Sequence, residues 1–187
     1  MSENIVQDLL KFVGEDPSRG GLQETPKRVL KAWKEWTSGY GQDPADVLKV
    51  FEDGAENCNT LVFEGPIPFF SHCEHHLAPF FGDAFIAYLP DQKIVGLSKL
   101  ARVTDIYAKR LQVQERLTNQ IADALHDNLK PKAVGVCLRA RHFCMESRGI
   151  KKSGVYTTTT ALRGEMLESN LRAEFLQSVD REYAAKK

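Results

Sequence analysis

The sequence predicts an α+β fold, with a core of order strand, strand, helix, helix, strand, strand behind an N-terminal helical segment. Three observations carry this. Extended runs rich in β-branched and aromatic residues lie at 60–70, 80–89, 133–143 and 155–162. Two stretches of helical periodicity, 99–110 and 114–129, fall between the second and third runs. Two further apolar stripes of helical spacing precede them all. The division expected is an N-terminal helical segment over 1–58 and a mixed domain with a C-terminal helix over 59–187.

From the N-terminus, Ile5, Val6, Leu9, Leu10 and Val13 share one stripe of a helix over Asn4–Val13, which Gly14 and Pro17 end. Thr25-Pro26 reads as a second helix start, with a hydroxyl at the N-cap and proline at the first helical position. Its stripe, Val29, Leu30, Trp33 and Trp36, suits core or subunit contact. A polar connection from Gly41 to Gly54 holds a short helical stretch around Asp46–Phe51. The strand over Thr60–Phe70 is interrupted by Gly65-Pro66 and Pro68; proline donates no ladder bond, so this strand lies at an edge or carries a bulge. Phe80–Leu89 alternates as a second strand, and Pro90-Asp91 turns. Ser98 is placed as the N-cap of a helix over Lys99–Arg110, and a second helix over Gln114–Leu129 stops before Pro131. Ala133–Phe143 and the threonine-rich Val155–Leu162 complete the strands, and a helix from Glu168 to about Tyr183 closes the chain.

The composition is that of a soluble globular chain: 187 residues, 42% hydrophobic and 27% charged. Lys+Arg and Asp+Glu both number 25, so no global basic field draws in nucleic acid, and any anion site is a local cluster. The polar start Met1-Ser2-Glu3-Asn4 is no secretory signal, and no apolar run is long enough for a membrane span. A cytoplasmic chain is expected. Histidines flank two of the four cysteines, which favours metal binding over disulfides; Cys58 and Cys137 have no such neighbours.

The chemistry concentrates in Ser71-His72-Cys73-Glu74-His75-His76-Leu77-Ala78-Pro79. Thiolate and neutral imidazole are preferred zinc ligands, and Cys73 and His76, three apart, can reach one ion from a single turn. A third ligand comes from His142-Phe143-Cys144. If that strand stays extended, His142 and Cys144 share a face while Cys137 points away. Cys73, His76 and Cys144 with one open position make a catalytic zinc arrangement, in which bound water becomes acidic near neutrality. The alternative is a structural zinc completed by His72, His75 or His142. His75 and His142 are spare imidazoles suited to acid–base work, or to orienting ligands. Glu74 suits a structural role. Ser98, Lys99 and Arg102 at a helix start, with Arg148 four residues beyond Cys144, form a local site for a polyphosphate, against the alternative of a solvated face. No P-loop sequence occurs. Gln114-Glu115 offers a carboxylate able to accept two parallel hydrogen bonds, as the N1–H and N2–H₂ edge of guanine would give.

Cys73-Glu74-His75-His76, Gly96-Leu97-Ser98-Lys99-Leu100-Ala101-Arg102, Gln112-Val113-Gln114-Glu115-Arg116-Leu117 and His142-Phe143-Cys144 with Arg148-Gly149 closely resemble GTP cyclohydrolase I, in order and spacing. The likeness runs from about Thr25-Pro26-Lys27-Arg28 to the C-terminal helix. It implies the T-fold, an antiparallel four-stranded sheet with two helices inserted between its hairpins, so that 59–187 would be the catalytic domain. It implies rings of five subunits doubled into a homodecamer, with active sites between subunits. The implied reaction takes GTP and water to 7,8-dihydroneopterin triphosphate and formate, the entry to folate-type pterins. By position, Cys73, His76 and Cys144 would bind Zn²⁺, and His75 and His142 would move protons. Ser98 would assist the ribose rearrangement. Glu115 with Gln114 would hold the guanine edge. Lys99, Arg102 and Arg148 would grip the triphosphate, with Arg28 from a neighbour. His72 departs from the family pattern as an additional imidazole. The alternative is a T-fold purine- or pterin-binding protein without turnover. The lack of a C-x-x-C pair argues strongly against a zinc nucleobase deaminase.

Overall fold

The structure is a computed structural model that describes residues 3–52, 54–55 and 58–185. Met1-Ser2 of the polar start, and the outermost ends of the two expected divisions, lie outside the described residues. The helices are α1 (Asn4–Phe12), α2 (Thr25–Trp36), α3 (Pro44–Val47), α4 (Ser98–Ala108), α5 (Gln114–Leu129), α6 (Phe143–Glu146) and α7 (Ser169–Ala185). The strands are β1 (Val50–Phe51), β2 (Val62–Cys73), β3 (Pro79–Leu89), β4 (Ile94–Val95), β5 (Leu111–Gln112), β6 (Ala133–His142) and β7 (Thr157–Gly164).

The main sheet has the order β5-β2-β3-β6-β7. Its four long strands pair antiparallel, and α4 and α5 are inserted between the β2–β3 and β6–β7 hairpins, which is the expected T-fold. The fifth strand is an addition. Leu111 and Gln112 run parallel to the end of β2, opposite His72 and Cys73. Two residues carry no period, so this pairing leaves no trace in a hydrophobic pattern.

Alternation along the strands builds two cores. Phe80, Ala84, Ile86 and Tyr88 of β3, with Val134, Val136 and Leu138 of β6, meet Leu100, Val103, Leu117, Ile121 and Leu125 of α4 and α5. The opposite parity, Phe85, Ala87, Leu89, Ala133 and Cys137, meets Phe175 and Val179 of α7. Gly135 lies beneath the Phe175 ring, where an added Cβ would come within 2.9 Å of it.

Several local expectations change. The stretch expected to be helical over Asp46–Phe51 splits: α3 covers Pro44–Val47, while β1 pairs antiparallel with β4. A distant partner overrides the local preference. Neither Thr25 nor Ser98 caps its helix with a side-chain bond; both lie just inside, after Glu24 and Leu97. The interrupted strand does carry its irregularity, a register shift between Glu64 and Ile67. Most consequential, β6 ends at His142, and Cys144 belongs to the single helical turn α6.

Candidate metal centre and active site

The ligand loop closes the β2–β3 hairpin. The Cys73 carbonyl accepts from the amides of His76 and Leu77, and the Cys73 amide donates to the Ala78 carbonyl. Leu77 takes a left-handed φ of 53° to complete the turn. This turn sets the backbone so that His76 Nδ1 stands 3.8 Å from Cys73 Sγ. Two further contacts hold the loop to the start of α5. The Glu74 amide donates to the Gln112 carbonyl at 3.0 Å, and the Glu74 carboxylate pairs with Arg116. Glu74 thus has the structural role expected of it.

Register brings the third donor. Phe80 pairs with His142, so the end of β6 lies beside the ligand loop, and α6 turns Cys144 inward. Ligand atoms of Cys73, His76 and Cys144 all lie within 4.8 Å of one another. The parity expected of an extended strand is therefore not what selects Cys144; a helical turn does. Cys73 is buried, Cys144 half-buried and His76 exposed, which leaves an approach from solvent. Burial, then the adjacent Cys73, pushes the Cys144 thiol above its ordinary range. Two thiols and an imidazole at this separation form a donor set that fits zinc, since a bound cation would relieve the cost of bringing the two sulfurs together. His75 Nδ1 also lies 3.8 Å from Cys73 Sγ, but on the exposed side of the loop.

The other imidazoles separate by environment. His72 is buried between the rings of Trp33 and Trp36, with centroids at 5.0 and 4.9 Å. Burial lowers its pKa. It points to the opposite face from Cys73 and serves as packing for α2. His142 stacks on Phe80 at 4.6 Å with rings 5° from parallel, and its Nε2 lies 2.7 Å from Gln114 Oε1. Burial lowers the His142 pKa, and the nearby Glu115 carboxylate opposes that shift.

The remaining candidates divide into two groups. Arg148 Nη1 contacts His76 Nε2 at 3.0 Å and so stands at the ligand group, while Glu115, exposed in the first turn of α5, lies near enough to His142 to act on its charge. Gln114 is buried, its amide engaged within the fold. Ser98 and Lys99 open α4, whose far end leads directly into β5 beside Cys73. A helix of that length holds its start about 16 Å from its end. Arg102 lines a groove with Gln42, Val47, Asp105, Ile106 and Lys109. Arg28 is exposed on α2. His75, His142, Glu115 and Arg148 thus accompany the candidate metal donors on the ligand loop, β6, α5 and the segment after α6, while Ser98, Lys99 and Arg102 lie on α4 and Arg28 on α2. Sequence reasoning missed the Gln114–His142 contact. Its only sign was a polar residue opening a helix whose neighbours are apolar.

The family model described as GTP cyclohydrolase I matches residues 2–180. The GTP cyclohydrolase 1 of Janthinobacterium sp. (strain Marseille) is 63% identical over 169 residues, 90% of this chain and 85% of that protein. That of Nitrosospira multiformis is 60% identical over 172 residues, 91% of this chain and 90% of that one. That of Campylobacter curvus is 49% identical over 179 residues, covering 95% and 94%. With the thiol–imidazole group and the ββααββ core in place, a match over almost the whole length leaves one reading: the chain belongs to the GTP cyclohydrolase I family.

Proposed function

We propose that this protein opens the imidazole ring of GTP with water, releases formate and rearranges the remainder to 7,8-dihydroneopterin triphosphate. The observation that carries this is the Cys73–His76–Cys144 group beside Glu115 and His142. Zinc is the cofactor we assign to that group, where it would supply Lewis acidity toward water at neutral pH. Glu115 accepts the N1–H and N2–H₂ of guanine, which orients the five-membered ring toward the metal group. His142 and His75 accept and return protons as the ring opens and formate departs. Ser98 assists the later ribose rearrangement. Arg148, with Lys99, Arg102 and Arg28, neutralises the triphosphate.

Ser98, Lys99, Arg102 and Arg28 belong to α4 and α2 rather than to the elements that carry the metal group, which supports active sites formed between subunits. We assign a homo-oligomer of five-membered rings, doubled into a decamer. Among the described residues no helix is long and apolar enough to cross a membrane. Four free thiols suit the reducing cytoplasm, where we place the enzyme.

The test is incubation of the zinc-loaded protein with GTP. Formate release together with a pterin chromophore is the expected result. GTP binding without either product would make this a purine-binding relative without turnover.

A further inference from the structure

The Gln114 side chain is 98% shielded from solvent, at 2% exposure, yet it opens a helix beside the catalytic cluster. All its polar atoms are engaged. Nε2 lies 3.1 Å from the Leu138 carbonyl, 3.0 Å from the Thr157 carbonyl and 3.0 Å from Thr159 Oγ1. Oε1 lies 2.7 Å from His142 Nε2. These partners fix which end of the amide is which. Carbonyl oxygens only accept, so the group facing Leu138 and Thr157 must be the NH₂. A flipped amide would set three oxygens against one another and leave two carbonyls without this donor.

The hydroxyls agree. Thr118 Oγ1 donates to the Gln114 carbonyl at 2.7 Å, which uses its single hydrogen. In the 2.6 Å contact between the two threonines, Thr159 is therefore the donor and Thr118 the acceptor. Thr159 Oγ1 then has lone pairs free for Gln114 Nε2. Every proton in the chain has one consistent direction, and the chain ends on Gln114 Oε1 as an acceptor aimed at His142.

We infer that Gln114 is a positioning residue: its Oε1 holds the His142 ring as the Nε2–H tautomer and leaves Nδ1 with the ring's free lone pair. An acceptor at 2.7 Å requires N–H at Nε2, and neutral imidazole then carries its lone pair on Nδ1. Phe80, stacked on the ring, blocks rotation out of that bond. This replaces the guanine-edge role expected of Gln114, whose amide has no free group to offer a base, and leaves that edge to Glu115. It deepens the proposed reaction and rests on it for the proton-transfer step, but not for the tautomer.

Neutron diffraction from crystals of the zinc-loaded protein, grown in deuterated buffer at about pH 8, reads the tautomer directly. A deuteron on His142 Nε2 and none on Nδ1 is expected. A deuteron on Nδ1 with Nε2 bare overturns the inference, whatever the enzyme does with GTP. Gln114→Met, of similar length without donor or acceptor, gives the kinetic arm. The expected result is a kcat lower by about 10- to 100-fold, within the range of a displaced acid–base group, with KM for GTP changed less than threefold. A large rise in KM at unchanged kcat would return Gln114 to the guanine edge and overturn the positioning role. Should the methionine variant fail to fold, the neutron result on the unaltered protein decides alone. Absence of turnover in the unaltered protein would sink the reaction while leaving the tautomer result standing.

Discussion

A cysteine near a histidine is a metal ligand only if the backbone turns it toward the other donors. Cys144 meets that condition because β6 stops at His142 and one helical turn follows. A serine there keeps the size of the side chain and loses the thiolate, so Cys144→Ser should lower zinc content from near one per chain to a small fraction, with turnover lost alongside. Elemental analysis of the purified variant checks this, and stoichiometric zinc would refute the ligand. Glu115 makes a different kind of contribution. In the proposed contact with guanine, Glu115→Gln would replace one acceptor oxygen by a donor facing the base's own donors, and should weaken GTP by about 10- to 1000-fold. Inorganic triphosphate, which lacks the base, should bind as before, and calorimetry with both ligands separates the two. The ligand residues were legible in the sequence because spacing and side-chain chemistry are local properties. The parity argument for Cys144 named a residue that the structure does bring to Cys73 and His76, but through a helical turn and not through the extended strand it assumed. Gln114 and His72 were not legible, because what they touch comes from β7 and from α2, far away in the chain.

At the scale of elements, the bulge in β2 and the docking of α7 are open to test. Glu64 stands at the register shift, and its Oε2 is buried without a hydrogen-bond partner among the described residues. Burial raises its pKa from the ordinary 4.5. The folded form therefore holds this proton more tightly than the unfolded chain does. The ionised group costs stability above its folded pKa, and the cost fades as pH falls through that value toward 4.5. Glu64→Gln should be more stable by about 1 kcal/mol at pH 7, and its advantage should shrink by pH 4. Denaturant midpoints at the two pH values measure this; an advantage independent of pH would contradict it. On the other face of the sheet, α7 is anchored by Phe175 and Val179, its two buried residues. Phe175→Ala should cost about 3–5 kcal/mol, because the ring that packs on Gly135 is replaced by a methyl and leaves a cavity in a buried cluster. Chemical denaturation monitored on the whole chain gives the figure. Long elements with a clear period, such as α5 and β3, were readable from sequence within a residue or two. The β1–β4 pair and β5 were not, since strands of two residues exist only through their partners.

At the scale of the whole molecule, the proposed active site draws on residues from two regions of the chain. The candidate metal donors gather where β2 ends and α6 begins, while Ser98 and Lys99 open α4, about 16 Å along that helix from the end that leads into β5. The first helix, meanwhile, exposes Ile5, Leu9, Phe12 and Val13, a stripe that a lone chain would leave in water. Both facts point to a neighbour. If the neighbour completes the site, two dead variants can repair each other. Cys144→Ser removes the metal half, and Arg102→Ala weakens the triphosphate half. Mixed after dissociation and reassembled, subunits of the two variants distribute at random through the proposed oligomer. A shared site draws Cys144 from one subunit and Arg102 from the next, and each is intact with probability one half. About a quarter of the sites are then free of both lesions, so activity should return to roughly 25% of the unaltered enzyme. Were each site contained in one chain, every site would carry a lesion and mixing would restore nothing. Formate release, measured before and after reassembly at equal total protein, distinguishes the two arrangements without any need to know how many subunits the ring contains.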